Sequence, residues 1–216
     1  MNLSKKKNIF SCVCNVLTVV LVIYSLIHFF RGLNQGNMIY SGFGCLRYFT
    51  IDSNILAAVA CAFMLKENIR VFKGETNYGK NSIRLKFTGT SAVAMTFFVV
   101  MVFLGPTMGY PKMFEGVNLY LHAVCPLLCI FSYILVESEG YKAPKGEALF
   151  GGIPALIYGT VYLIMVVFVK AWPDFYTFNR GNMWYLAYPI IVGVGALIGL
   201  AVYKLGKANK ATASDD

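Results

Sequence analysis

The sequence predicts an all-α polytopic membrane protein, a single bundle of six transmembrane helices with both termini in the cytoplasm. Three observations predict it. Of the 216 residues, 57% are hydrophobic and 13% are charged, whereas an ordinary soluble domain carries about 25% charged residues. The mean hydropathy is +0.61, more apolar side chain than a soluble core can hide. The apolar residues also gather into six runs, each close to the ~20 residues that cross the hydrocarbon of a bilayer as a helix, with the basic residues placed between them.

In chain order the predicted spans are Asn8–Phe30, Tyr48–Leu65, Phe87–Leu104, Val117–Val136, Leu149–Ala171 and Met183–Tyr203. The second opens on the polar stretch Thr50-Ile51-Asp52-Ser53-Asn54, which lipid tolerates only when it faces the bundle interior. Orientation follows from the basic residues. One side receives Lys5, Lys6 and Lys7, then Lys66, Arg70, Lys73, Lys80, Arg84 and Lys86, then Lys142 and Lys145, and finally Lys204, Lys207 and Lys210. The other side receives only Arg31, Arg47, Lys112, Lys170 and Arg180. The excess marks the cytoplasmic side. Trp172 and Trp184 flank the last outer loop, where interfacial aromatics belong. The domain is expected to end at residue 204. Residues 205–216, small and polar, read as a disordered cytoplasmic tail.

The net charge of +9 does not point to nucleic acid, because it is dispersed over short loops. The first apolar run is too long for a signal peptide and has no small-residue cleavage site after it. Six cysteines are present, Cys12, Cys14, Cys45, Cys61, Cys125 and Cys129. Their spacing matches no zinc pattern, and five lie in apolar runs where thiols act as small packing residues. Neither a metal nor any other cofactor is expected. The localisation read from the spans is an integral membrane protein, in the plasma membrane if the source is bacterial.

Orientation converts sequence position into depth. Helices 2 and 4 both run from the outer to the inner side, so Thr50 and His122 lie at similar depth. On helix 4, Asn118, His122, Cys125, Cys129 and Tyr133 form one polar stripe. Pro126, four residues after His122, cannot donate to the His122 carbonyl, which predicts a kink there. On helix 2, Thr50, Asn54, Ala57, Ala58 and Cys61 give a small, weakly polar face that another helix or a ligand can approach. Asp52 lies about 200° round the wheel from Thr50, and Ser53 is better placed. Pro154, Tyr158 and Tyr162 on helix 5, with Tyr185 and Pro189 on helix 6, are candidates for the wall of a pocket or for ordinary bundle packing.

A hydroxyl and an imidazole at one depth suit nucleophilic catalysis. A threonine attacks well only when a base takes its proton, and histidine has the pKa for that task. Thr50 is the candidate nucleophile and His122 the candidate general base. Asn54, Ser53 and Asn118 are the candidate groups to stabilise an oxyanion or orient the dyad. Arg47, Asp52, Pro126 and Tyr158 complete the candidate substrate-contacting set, with Arg47 at the mouth able to attract a carboxylate or to snorkel to lipid phosphate. The sequence names no third group to orient His122. Structural roles compete: a membrane threonine often bonds its own i−3 or i−4 carbonyl, and a buried histidine can join helices. His28 and His122 also form a possible axial pair for a haem, although His28 reads as an interfacial residue.

Two motifs carry a family resemblance. Arg47-Tyr48-Phe49-Thr50-Ile51-Asp52-Ser53-Asn54-Ile55-Leu56 and Leu121-His122-Ala123-Val124-Cys125-Pro126 resemble the androgen-induced integral-membrane hydrolase family, most closely its bacterial six-helix relatives. Pro154, Tyr158 and the Trp172-Pro173-Asp174-Phe175-Tyr176 loop are similar to the family's last segments. The resemblance implies an intramembrane threonine hydrolase in which Thr50 matches the nucleophile and His122 its partner. It implies fatty acid esters of hydroxy fatty acids as the lipid ester substrate class. A non-enzymatic lipid-binding or transport protein using the same pocket is the alternative.

Overall fold

The computed structural model describes residues 4–32, 42–139, 141 and 146–212. Among them every regular element is helical. Six long helices form the bundle: α1 (Lys5–Phe30), α2 (Phe49–Phe72), α3 (Lys80–Met108), α4 (Tyr120–Glu137), α5 (Ile153–Phe168) and α6 (Trp184–Thr212). Four of them, α1, α3, α4 and α6, are long and apolar enough to cross a membrane. The helix α5 is apolar but shorter. The helix α2 carries Thr50, Asp52, Ser53 and Asn54 in its opening turns and Lys66, Glu67, Asn68 and Arg70 toward its end.

Which side chains face outward says what surrounds the bundle. On α1 the buried residues include Asn8, Ser11, Asn15, Thr18 and Ser25, while Ile9, Phe10, Val13, Leu17, Val20 and Ile23 are exposed. This polar-in, apolar-out arrangement reverses that of a water-soluble helix and is the one a lipid surround favours. Small residues let the helices approach. A Cβ on Gly89 of α3 would stand 3.1 Å from the Ala57 Cα of α2, and one on Gly199 of α6 would stand 2.8 Å from the Gly151 backbone. Such close backbone approach is how helices associate where no water drives them together.

Wider π-helical turns occur within α3, α4 and α5, and two of them lie beside prolines. In α3 a π-helical turn spans Val100–Leu104, just before Gly105-Pro106. In α4 a π-helical turn spans Tyr120–Val124 and is followed by α-helix from Cys125. The kink expected from Pro126 therefore takes the form of a π-bulge, in which the Cys125 N–H reaches the Tyr120 carbonyl. A wider turn re-routes the bonds that a proline interrupts.

At the end of the bundle remote from Thr50, a polar cluster joins α1 to α4. The Lys86 ammonium and the Glu137 carboxylate lie 3.5 Å apart, and the two side chains are 1% and 0% exposed. Lys86 also donates to Asn15 Oδ1 at 2.6 Å and to Cys61 Sγ at 3.0 Å. Glu137 accepts from Ser11 and from Asn15, both at 2.8 Å. Two sequence readings change here. Lys80, Arg84 and Lys86 belong to α3 rather than to a loop, and Lys86 is an ion-paired core residue, so it leaves the count of loop charges. Glu137 is the partner that holds it there. Lys142 and Lys145 lie outside the described residues.

The C-terminal expectation also changes. The last helix continues to Thr212, past the predicted boundary at 204. Ala and Lys are strong helix formers, and Lys204 and Lys207 place positive charge toward the helix C-terminus, where the macrodipole favours it. Residues 213–216 lie outside the description.

Candidate active site

Thr50 is the second residue of α2, so it sits where the helix has no preceding turn to accept its hydroxyl. Elsewhere in the chain Thr18, Thr88, Thr107 and Thr160 each donate to the carbonyl four residues back. The Thr50 hydroxyl instead faces His122, with Oγ1 3.4 Å from Nε2. Both side chains are buried. The pair that the sequence placed at one depth is therefore in contact.

The second nitrogen of His122 fixes the tautomer. Its Nδ1 lies 2.6 Å from the Met113 carbonyl. A carbonyl can only accept, so Nδ1 carries the proton and Nε2 turns a lone pair toward Thr50. That is the state a general base requires. Met113 closes the short helix Tyr110–Met113, which enters through Gly109 at φ 95. In this region of backbone space glycine alone is unstrained. The orienting group that sequence reasoning could not name is thus a backbone carbonyl delivered by a tight turn.

Asn54 ties the two helices together beside the dyad. Its amide donates to the Thr50 carbonyl at 2.7 Å and across to the Leu121 carbonyl at 3.0 Å. Both amide protons are spent, so Asn54 holds the site and does not stabilise an oxyanion. Ser53 bonds the Thr50 carbonyl at 3.2 Å and the Thr96 hydroxyl at 2.8 Å, which removes it from the donor set as well. Asn118 is buried, and His122 Nδ1 is oriented by Met113 rather than by it. The side-chain oxygens of Asn54 and Asn118 are buried without a partner among the described residues. Each leaves an acceptor for a polar guest.

The remaining candidates frame the mouth. Arg47 ends the 3-10 turn Gly42–Arg47, its carbonyl accepts the Tyr158 hydroxyl at 2.6 Å, and its guanidinium stands 5.9 Å from the Trp172 ring. Asp52 is half-buried in the opening turn of α2 and does not line the cavity. Pro126 is buried just after the π turn and makes no part of the cavity wall. The cavity, about 410 Å³, opens between α2, α3, α5 and α6 and is lined by Thr50, Thr96, Tyr158, Tyr162 and Tyr176 with a majority of apolar residues from Met95 to Val194. Thr50 reaches it while His122 stands behind Thr50. The expected path for a chain along the small-residue face of α2 is closed, because Ala57 and Cys61 pack against Val93 and Cys129. The space lies on the other side of α2, walled by larger side chains.

Sequence reasoning missed Met113 as the orienting group, and it had no signal to find it, since every residue owns a carbonyl. Comparison of the chain with protein-family models, with curated proteins and with solved structures returned no match.

Proposed function

We propose that this protein is an intramembrane hydrolase of long-chain lipid esters, with Thr50 as nucleophile and His122 as base. The observation that carries the reading is a threonine hydroxyl 3.4 Å from an imidazole nitrogen whose tautomer the Met113 carbonyl fixes, at the wall of an apolar cavity. Such a pair is somewhat longer than the working distance of about 2.6–3.2 Å and shortens when substrate closes the site. The cavity volume falls in the usual range for small-molecule sites, about 300–1,000 Å³.

The reaction runs in two halves. Thr50 Oγ1 attacks the ester carbonyl as its proton passes to His122 Nε2. When the tetrahedral intermediate collapses, the alkoxy oxygen leaves with that proton, and the acyl group stays on Thr50. A water then gives a proton to His122 and attacks the acyl-threonine, which releases the carboxylic acid. The chemistry uses no cofactor. The apolar walls suit a hydrocarbon chain, and the resemblance of the two motifs to the androgen-induced hydrolases supports fatty acid esters of hydroxy fatty acids as the substrate class.

The same reading places all six helices across the bilayer with both termini in the cytoplasm. The buried polar face of α1 supports it, and so does the excess of basic residues at the Lys5 end. The test is hydrolysis of long-chain esters by the purified protein beside Thr50→Ala and His122→Ala. Loss in both variants with folding retained supports the dyad. Turnover that survives both substitutions, or none in the parent, moves the reading to a lipid-binding or transport protein that uses the same cavity.

A further inference from the structure

The cavity beside Thr50 is bounded by two kinds of side chain. Thr50, Met95, Thr96 and Val100 on its wall are buried, while Phe98, Val102, Phe103 and Ile190 on the same wall are 42%, 59%, 45% and 62% exposed. A space walled by both runs from the interior to the outside of the bundle. The exposed four belong to α3 and α6, so the opening faces sideways between these two helices, with Thr177 of the loop before α6 as a further exposed border. We propose that this opening admits one hydrocarbon chain of a lipid resident in the bilayer, which slides in between α3 and α6 and carries its ester to Thr50. The inference deepens the Thr50–His122 hydrolase reading, and its last step rests on that reading.

Packing fixes where the opening begins. A Cβ on Gly195 of α6 would stand 3.2 Å from the Met95 sulfur of α3, and one on Gly151 would stand 3.0 Å from Ser91 Oγ. Small residues thus draw α6 and the turn before α5 onto α3 as far as Met95, which is the cavity floor. Beyond Met95 the α3 border is the π-helical turn Val100–Leu104. From Phe98 to Leu104 every residue except Met101 lines the cavity, whereas a regular helix turns only i, i+3 and i+4 to one face. Such turns gather at functional sites. This one is held in place: the Met101 carbonyl accepts the Tyr110 hydroxyl at 2.7 Å, and a Cβ on Gly105 would run into the Tyr110 ring. Tyr110 opens the short helix whose last residue, Met113, orients His122. One short helix therefore positions both the border of the opening and the base.

The chemistry of the border selects the guest. Both α3 and α6 are long and apolar enough to cross a membrane, and each of their side chains exposed at the opening is apolar. A polar guest crossing there would lose its water and gain no hydrogen bond. A hydrocarbon chain would pass from lipid into the cavity without meeting water at all. Hydroxyls stand deeper on the wall, at Thr50 and Thr96.

The experiment uses the full chain in phosphatidylcholine vesicles that contain the methyl ether of a long-chain alcohol with a diazirine in the chain, a probe that cannot be hydrolysed. After illumination, peptide mass spectrometry locates the adducts. Label on Val13 and Leu17, exposed on α1, reports the surrounding lipid, and label on the buried Met95, Thr96 and Val100 reports entry. The parent is expected to carry both. Val102→Trp with Ile190→Trp fills the opening from surface positions and is expected to lower the inner label at least about tenfold, with the α1 label unchanged. Hydrolysis of p-nitrophenyl palmitate in the same vesicles is expected to fall in parallel. Thr177→Trp is expected to leave both labels at the parent level. The proposal is overturned if the buried residues of the parent take no label, if the inner label survives the paired tryptophans, or if Thr177→Trp alone removes it, which would make the loop an entrance for guests from water. A parent that labels its inner wall yet hydrolyses no ester keeps the sideways entrance and loses the hydrolase reading.

Discussion

The two polar regions of the bundle are built from the same kinds of residue and differ in what they leave unsatisfied. At the Lys86 end, ammonium, carboxylate, amides and hydroxyls saturate one another: Lys86 meets Asn15, Cys61 and Glu137, and Glu137 meets Ser11, Asn15 and Ser132. None of these groups lines the cavity described above. At the Thr50 end the nucleophile–base pair is longer, at 3.4 Å, two amide oxygens have no partner among the described residues, and a cavity runs up to the nucleophile. A closed network uses its hydrogen-bonding capacity to join helices. An open one keeps capacity in reserve for a guest. Of two buried polar clusters, the less complete one is the better candidate for chemistry.

The sharpest way to break this contrast is to remove one group at each end. Thr50→Ala is expected to abolish ester turnover, a loss of at least about 10³-fold, with the thermal unfolding midpoint kept close to that of the parent, read by a chromogenic ester assay beside thermal denaturation. Lys86→Met leaves Glu137 buried without its counter-charge and is expected to lose about 3–5 kcal/mol of stability. Turnover per folded molecule should stay near the parent value, and Lys86→Met with Glu137→Leu should recover most of the loss in a denaturation series. If Lys86→Met removes activity but not stability, the two regions have been assigned the wrong way round.

Smaller effects sharpen the comparison. Asn54→Ala cuts the only side-chain tie between the Thr50 turn and the Leu121 carbonyl among the described residues. It is expected to lower kcat about 10–100-fold and stability by about 1–3 kcal/mol, which makes it the one position where the two readouts move together. Val99→Phe, on the cavity wall, should leave short-chain esters unaffected and raise KM several-fold for long-chain ones, as seen in a chain-length series. The smallest change belongs to Thr50→Ser, which keeps the hydroxyl and is expected to retain activity within about tenfold.

Much of this contrast was legible in the sequence, and the reasons differ by residue. Thr50 and His122 could be paired because helix rise converts residue number into depth. The helices themselves followed from apolar runs. Lys86 was misplaced because a lysine beside a cluster of loop charges reads as one more of them, and only packing reveals that Asn15 of α1 and Glu137 of α4 surround it. The Met113 carbonyl was invisible for a different reason. Its position depends on the backbone path through Gly109 and Pro111, and no side-chain pattern records that. The cavity was drawn on the wrong face of α2 because small residues signal close approach without saying whether a helix or a ligand makes it. Here Val93 and Cys129 make it.

The buried Lys86–Glu137 pair bears on how the chain is made. Residues emerge in order, so on the proposed six-span reading Lys86 enters the bilayer with α3 before α4 has delivered Glu137. A lone ammonium at that depth is costly. Its first acceptors, Asn15 on α1 and Cys61 on α2, precede it in the chain and are in place to receive it during biogenesis. The carboxylate then arrives with the fourth helix and closes the network, so the order of synthesis is also the order in which each charge finds its shelter.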